Sequence, residues 1–215
     1  MQRPLFITGI GTDVGKTVAS AIITQALGAN YWKPIQAGFD TGTDATTVAG
    51  LVTNANTHFF PEVYKLSMPA SPHIAAKAEN EIIDIDAIAS AASRYCQYSN
   101  PLVVEGAGGL MVPVNNEQFV ADIIWQLNAQ VILVSRNYLG SINHSLLTAM
   151  ACKQMGLDVL GWVFNDQYLS YENDIADWSG YPIIGRIPHC QPVTANFVAE
   201  QAALLRPVLI QHLGL

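Results

Sequence analysis

Residues 9–17 read Gly-Ile-Gly-Thr-Asp-Val-Gly-Lys-Thr, the residue types of a loop that holds phosphate. In such a loop the backbone N–H groups, with those of the helix that follows, point at phosphate oxygens. The lysine adds a point charge on the β- and γ-phosphates, and the hydroxyl after it can ligate Mg²⁺. Gly15-Lys16-Thr17 supplies the end of this pattern, but the start departs from the common G-x-x-x-x-G-K-[ST] spacing. Gly9 and Gly11 are separated from Gly15 by five and three residues rather than four, and Ile10 stands where the glycine belongs. Asp13 puts a carboxylate inside the loop, where it repels phosphate unless it faces a metal or a cationic substrate.

Further candidates follow apolar runs. Glu105 ends the run 101–105 and precedes Gly-Ala-Gly-Gly, where backbone can come close to a ligand. A carboxylate at that place suits a second contact to Mg²⁺. Lys33 follows Tyr31-Trp32 and precedes Pro34, which stiffens the turn; alone it reads as a lysine snorkelling from a sheet edge. Asp44 stands at a helix start, where an N-cap or first-turn aspartate is the plain alternative. Gly140 and Ser141 open another helix and leave N–H donors that suit a carboxylate, with Asn143 and His144 just inside. Asn165 ends a run from which its amide could read a nucleobase edge, and residues 185–190 could line the same pocket. The histidines show no H-x-x-x-H or H-E-x-x-H pairing, and no G-x-S-x-G turn occurs.

The elements that must position these residues alternate. Strands are expected over 4–8, 30–35, 63–66, 101–105, 130–135, 159–165 and 182–185. Helices are expected over 16–27, 83–96, 119–127, 142–155 and 196–213. The strands are continuously apolar rather than alternating, which implies a mainly parallel sheet covered on both faces. The expectation is a single doubly wound α/β domain over residues 1–215. In such folds ligands bind beyond the carboxyl ends of the strands, where the candidate residues stand.

Composition sets bounds on partners. Half of the residues are hydrophobic, 13% are charged and the net charge is −7, which describes a compact chain unsuited to nucleic acid or an anionic membrane. The cysteines Cys96, Cys152 and Cys190 lack any C-x-x-C spacing and read as buried residues of a reducing cytosol. No segment reaches the roughly 20 apolar residues of a membrane span, and the N-terminal apolar stretch is short for a signal peptide. A cytoplasmic, soluble protein is expected.

Taken in order, "FITGIGTDVGKT", "KPIQAG", "TDA", "SPHIAA", "VVEGAGGLMVP", "LGSINH", "GWVFND" and "IGRIP" resemble the dethiobiotin synthetase family over nearly the whole chain. Its loop has the form G-T-D-T-x-V-G-K-T, with the same five-residue gap as Gly9 to Gly15. The resemblance implies a P-loop NTPase-like fold, ATP with Mg²⁺, and ring closure of diaminopelargonic acid with CO₂ in biotin biosynthesis. By resemblance, Thr12, Asp13, Val14, Gly15, Lys16, Thr17 and Val18 enclose the ATP phosphates, with Glu105 and Gly108 close by. Thr17, Asp44 and Glu105 hold Mg²⁺, and Lys16 and Lys33 are catalytic. Asn165, Ile187, Pro188 and His189 bind adenine. Thr12, Lys33 and Ala37 meet the substrate. Its carboxylate meets Leu139, Gly140, Ser141, Ile142 and Asn143, contributed by the partner subunit of a homodimer.

Three residues depart from the family pattern: Ile10 in the loop, Ala37 where serine or threonine is common, and Tyr138 where a basic residue is common. Two other readings share parts of the pattern. A deviant-loop ATPase acting as a dimerisation switch has a related loop, but typically with a second lysine near its start, where Gly9, Ile10 and Gly11 stand here. A cobalamin-precursor amidating synthetase usually carries a glutaminase domain, for which 215 residues leave no room.

Overall fold

The computed structural model describes residues 3–166 and 169–214. The chain opens with β1 (Leu5–Gly9) and α1 (Lys16–Leu27). Then come β2 (Asn30–Trp32), β3 (Ile35–Ala37), α2 (Asp44–Leu51), β4 (Phe59–Phe60) and β5 (Tyr64–Leu66). Two helices, α3 (Pro72–Ala78) and α4 (Ile85–Tyr95), lead to β6 (Leu102–Gly109) and α5 (Val120–Gln126). The rest alternates: β7 (Gln130–Arg136), α6 (Ser141–Gln154), β8 (Asp158–Asn165), α7 (Glu172–Ser179), β9 (Ile183–Ile187) and α8 (Ala195–Leu213).

Seven strands form one sheet in the order β4-β2-β6-β1-β7-β8-β9, and every pairing is parallel. Side chains of successive residues leave opposite faces, and the core divides accordingly. Phe6, Trp32, Val104, Leu133, Trp162 and Phe164 pack on one side with residues of α4, α5 and α7. Leu5, Ile7, Tyr31, Val103, Ile132 and Val163 pack on the other with α1 and α8. The sheet is therefore doubly wound, as the uninterrupted apolar runs require. The same alternation turns Glu105, two residues after Val103, towards α1.

The expected strand over 30–35 is two strands in different sheets. β2 stays in the main sheet for three residues. Lys33 and Pro34 then carry the chain away, and β3 pairs in parallel with β5 as a separate two-stranded sheet. Proline lacks the N–H a central strand must donate, so the main-sheet ladder stops there. β6 runs four residues beyond the expected end, through the glycines to Gly109, and β9 is displaced towards Ile187. Helices α3 and α7 and the short strand β4 were not expected. None of the helices among the described residues is long and apolar enough to cross a membrane.

Candidate active site

The carboxyl ends of β1, β2 and β6 meet the start of α1. Gly15 caps that helix at φ 88°, a conformation in which side chains strain the backbone. A Cβ there would also lie 1.9 Å from Asn165 Nδ2, so the neighbour as well as the backbone demands glycine. Asn165 Nδ2 donates to the Val14 carbonyl at 3.2 Å, tying the loop to the end of β8. Within the loop, Lys16 Nζ donates to the Gly11 carbonyl at 2.8 Å. Burial lowers the Lys16 pKa to about 8; the Glu105 carboxylate opposes that shift and the Lys33 ammonium adds to it.

Beside Lys16 lies a compact ion cluster. Thr17 Oγ1 is 2.9 Å from Asp44 Oδ1 and 2.9 Å from Glu105 Oε1. Lys33 Nζ pairs with Asp44 Oδ2 and stands 3.3 Å from Glu105 Oε1. Tyr31 donates its phenol to Glu105 Oε2 at 2.8 Å. Glu105 is 1% exposed and Lys33 6%, so each ion depends on the others for what water would otherwise supply. Burial alone would lower the Lys33 pKa, but the Glu105 and Asp44 carboxylates outweigh it and raise it. Burial would likewise raise Asp44, and the Lys33 ammonium with the Thr17 hydroxyl holds it low. The Tyr31 pKa is pushed well up by burial and by Glu105, which keeps its proton in place.

Asp44 owes its position to a helix start. Thr43 and Thr46 form a reciprocal capping box, and Asp44 donates its N–H to Gln36 Oε1 at 3.2 Å. Three oxygens from Thr17, Asp44 and Glu105 thus face one point, a donor set that fits a hard cation such as Mg²⁺.

Two cavities flank the loop. A cleft of about 720 Å³ is lined by Thr12, Asp13, Gly15, Lys16, Thr17, Lys33, Ala37, Asp44, Glu105 and Gly108. A smaller pocket of about 200 Å³ is lined by Gly15, Val18, Asn165, Ile187, Pro188 and His189, with Asp13 at the junction of the two. Val14 lines neither: its side chain is 2% exposed in the core, leaving only its backbone for a ligand. Leu139, Gly140, Ser141, Ile142 and Asn143 line neither cavity of their own chain. The Ser141 N–H, expected to be a free donor, is taken by the Tyr138 carbonyl at 2.9 Å. Its hydroxyl lies 2.8 Å from the Tyr171 phenol, so Ser141 holds the helix start together.

A family model described as an AAA domain matches residues 3–196. The ATP-dependent dethiobiotin synthetase BioD of Christiangramia forsetii is 45% identical over 204 residues, covering 94% of this chain and 95% of that protein. The chain belongs to the dethiobiotin synthetase family. The synthetase of Cytophaga hutchinsonii is 43% identical over 205 residues, 95% of this chain and 97% of that protein. Among solved structures, the septum site-determining protein MinD of Pyrococcus horikoshii, complexed with Mg-ADP, superposes with a TM-score of 0.59. That match has 17% identity and covers 99% of this chain and 93% of that one. A ParA family ATPase of Chlorobium tepidum gives 0.58 at 13% identity, covering 99% and 98%. These two likenesses are of fold alone.

In this member of the dethiobiotin synthetase family, several cleft residues escaped the reading of the sequence. Tyr31 looked like an ordinary strand aromatic. Gln36 orients Asp44 and also donates to the Gly38 carbonyl at 2.8 Å. The segment 69–72, which enters α3 with Pro72 in its first turn, forms the far wall. Its "SPHIAA" run was part of the family resemblance, but nothing in its residue types named a role. Arg136 and Asp166, paired at 3.1 Å, frame the small pocket. Both follow apolar strands, the one signal that could have singled them out.

Proposed function

We propose that the whole chain acts as one ATP-binding unit that closes the ureido ring of dethiobiotin from diaminopelargonic acid and CO₂. The observation that carries this reading is the Lys33–Asp44–Glu105–Thr17 cluster with Lys16 beside it, in a chain belonging to the family of ATP-dependent dethiobiotin synthetases. One amine of the substrate adds to CO₂ and loses a proton, giving a carbamate. A carbamate oxygen attacks the γ-phosphorus, and the bond to ADP breaks. The second amine then attacks the carbamoyl carbon, releases inorganic phosphate and closes the ring. Negative charge builds on the transferred phosphoryl group in both later steps, and Lys16 and Lys33 are cations already fixed at the cleft floor, which need no reorganisation to stabilise it. Holding the two amines in one cleft makes ring closure effectively unimolecular.

Thr17, Asp44 and Glu105 would hold Mg²⁺, which would supply positive charge to the phosphoryl group being transferred. Asp13, at the junction of the cavities, faces a substrate ammonium. Ala37 and Gly108 shape the cleft where the diamine lies. Asn165 spends its Nδ2 hydrogen bond on Val14, which leaves Oδ1 to accept from an exocyclic amine such as that of adenine. Ile187, Pro188 and His189 flank the base.

The 139–143 segment completes the site from a partner subunit of a homodimer, binding the substrate carboxylate. Supporting this are Leu139, Leu147 and Met150, which are 88%, 56% and 65% exposed in one run along the start and outer face of α6, an unusual apolar patch for a helix facing solvent. Sedimentation checks the dimer, and a monomer at working concentration overturns it. We place the protein in the cytoplasm. The reaction itself is tested by incubating protein with Mg-ATP, labelled bicarbonate and diaminopelargonic acid. Acid-stable label in dethiobiotin is expected. ATP hydrolysis indifferent to the diamine, without ring product, would instead favour a nucleotide switch.

A further inference from the structure

Tyr31 is fully buried, with no exposed surface, and lies on β2 beside β6 in the register Tyr31↔Val103. From there its phenol reaches over to Glu105 and donates to Oε2 at 2.8 Å. The ring is held by its neighbours, Phe59 among them at 6.2 Å between centroids. The Glu105 carboxylate is consequently divided. Oε2 faces the tyrosine, while Oε1 alone faces Thr17 Oγ1 at 2.9 Å and Lys33 Nζ at 3.3 Å.

That division matters for metal choice. Mg²⁺ is small, demands near-octahedral geometry and takes carboxylates one oxygen at a time. Ca²⁺ accepts six to eight oxygens and readily uses both oxygens of one carboxylate. We propose that Tyr31 restricts Glu105 to single-oxygen donation and so sets the preference of this site for Mg²⁺ over Ca²⁺. The proposal rests on the reading of Thr17, Asp44 and Glu105 as the magnesium donors. Tyr31 touches neither nucleotide nor metal; it is a positioning residue that acts through Glu105.

Calorimetric titration of Mg²⁺ and of Ca²⁺ into protein with saturating ADP tests it, because comparing variants cancels the nucleotide's own metal preference. In Tyr31→Phe the ratio of Ca²⁺ to Mg²⁺ affinity is expected to rise about tenfold, the low end of what partners of metal-ligating carboxylates control. Tyr31→Leu, which loses the same hydroxyl but refills the space differently, is expected to shift the ratio in the same direction. Added to Glu105→Gln, Tyr31→Phe should change the ratio no further. A wild-type ratio in a folded Tyr31→Phe protein overturns the proposal, as does an equal shift in the Glu105→Gln background. Unchanged Mg²⁺ affinity in Glu105→Gln removes the metal assignment itself, a failure distinct from that of Tyr31.

Discussion

The two cavities on either side of the phosphate loop are built in opposite ways. In the cleft, Lys33 and Glu105 are almost wholly buried and are joined to Asp44, Thr17 and Tyr31 by hydrogen bonds. In the smaller pocket, Arg136 and Asp166 pair at 3.1 Å with side chains 47% and 23% exposed, and His189 stands 3.7 Å from the same carboxylate. The cleft's charges are fixed in advance, where a low dielectric makes them strong. Those that frame the smaller pocket lie in water, where they are screened and contribute little. On the proposed function, chemistry is concentrated in the first region, and recognition in the second leans on strand ends and one amide.

Lys33→Met should show the contrast at its largest. It strands the Asp44 and Glu105 carboxylates, so stability should fall by about 3–5 kcal/mol and ring closure should be lost. Denaturant melts and product assays measure the two, and a melt like the wild type's would show that the cluster is not interdependent. Lys16→Ala should cost at least ~100-fold in turnover without lowering stability, because burial already disfavours that charge. A destabilised variant would contradict this.

The Lys16 pKa of about 8, against 10.5 for a free lysine, has a sign that can be checked. Below pH 8 the ammonium is present in both folded and unfolded chain, and its burial costs stability. As pH rises from about 8 to 10.5 the folded chain releases the proton first, so this cost is relieved. With Lys16 meeting the ATP phosphates as proposed, ATP binding should take up a proton in that window and weaken as pH rises. Calorimetry in buffers of different ionisation enthalpy reads the uptake; none at pH 8–9 would contradict the assignment.

On the recognition side the effects should be smaller. Asn165→Ala removes the proposed base contact and the tie to Val14, and is expected to reduce the preference for ATP over other nucleotides about tenfold, the worth of one hydrogen bond. Competition binding with several nucleotides checks it, and an unchanged preference moves base reading elsewhere. Arg136→Ala breaks only a half-exposed pair and should change stability by less than about 1 kcal/mol. A larger change in its melt would erase the distinction between the two cavities.

Most of the cleft was legible in the sequence because Lys16, Thr17, Lys33, Asp44 and Glu105 stand where elements begin or end, and the phosphate-loop pattern of Gly15-Lys16-Thr17 gave the others a common place to meet. Tyr31 was not, since a buried strand aromatic reads as core until the partner strand is known. At Ser141 the sequence shows a small polar residue at a helix start but not that its N–H is taken by the Tyr138 carbonyl and its hydroxyl lies beside the Tyr171 phenol. The strand over 30–35 was drawn too long because Ile35 prolongs the apolar run. Pro34, read as stiffening a turn, in fact marks the passage between sheets. Residues 139–143 line neither cavity of their own chain, and the residue pattern of one chain carries no distance to a second copy.

The exit of the chain from the main sheet at Lys33 and Pro34 makes the enzyme modular. The phosphate loop hangs on the seven-stranded sheet, while the far wall of the cleft is formed by β3 and the entry to α3, with Lys33 at the passage from one to the other. Varying residues 35–37 and 69–72 between relatives, with α2 and β4 left in place because both pack with the main sheet, is therefore a route to a new cleft wall on an intact seven-stranded core. Ala37, in that wall, is a natural first residue to vary.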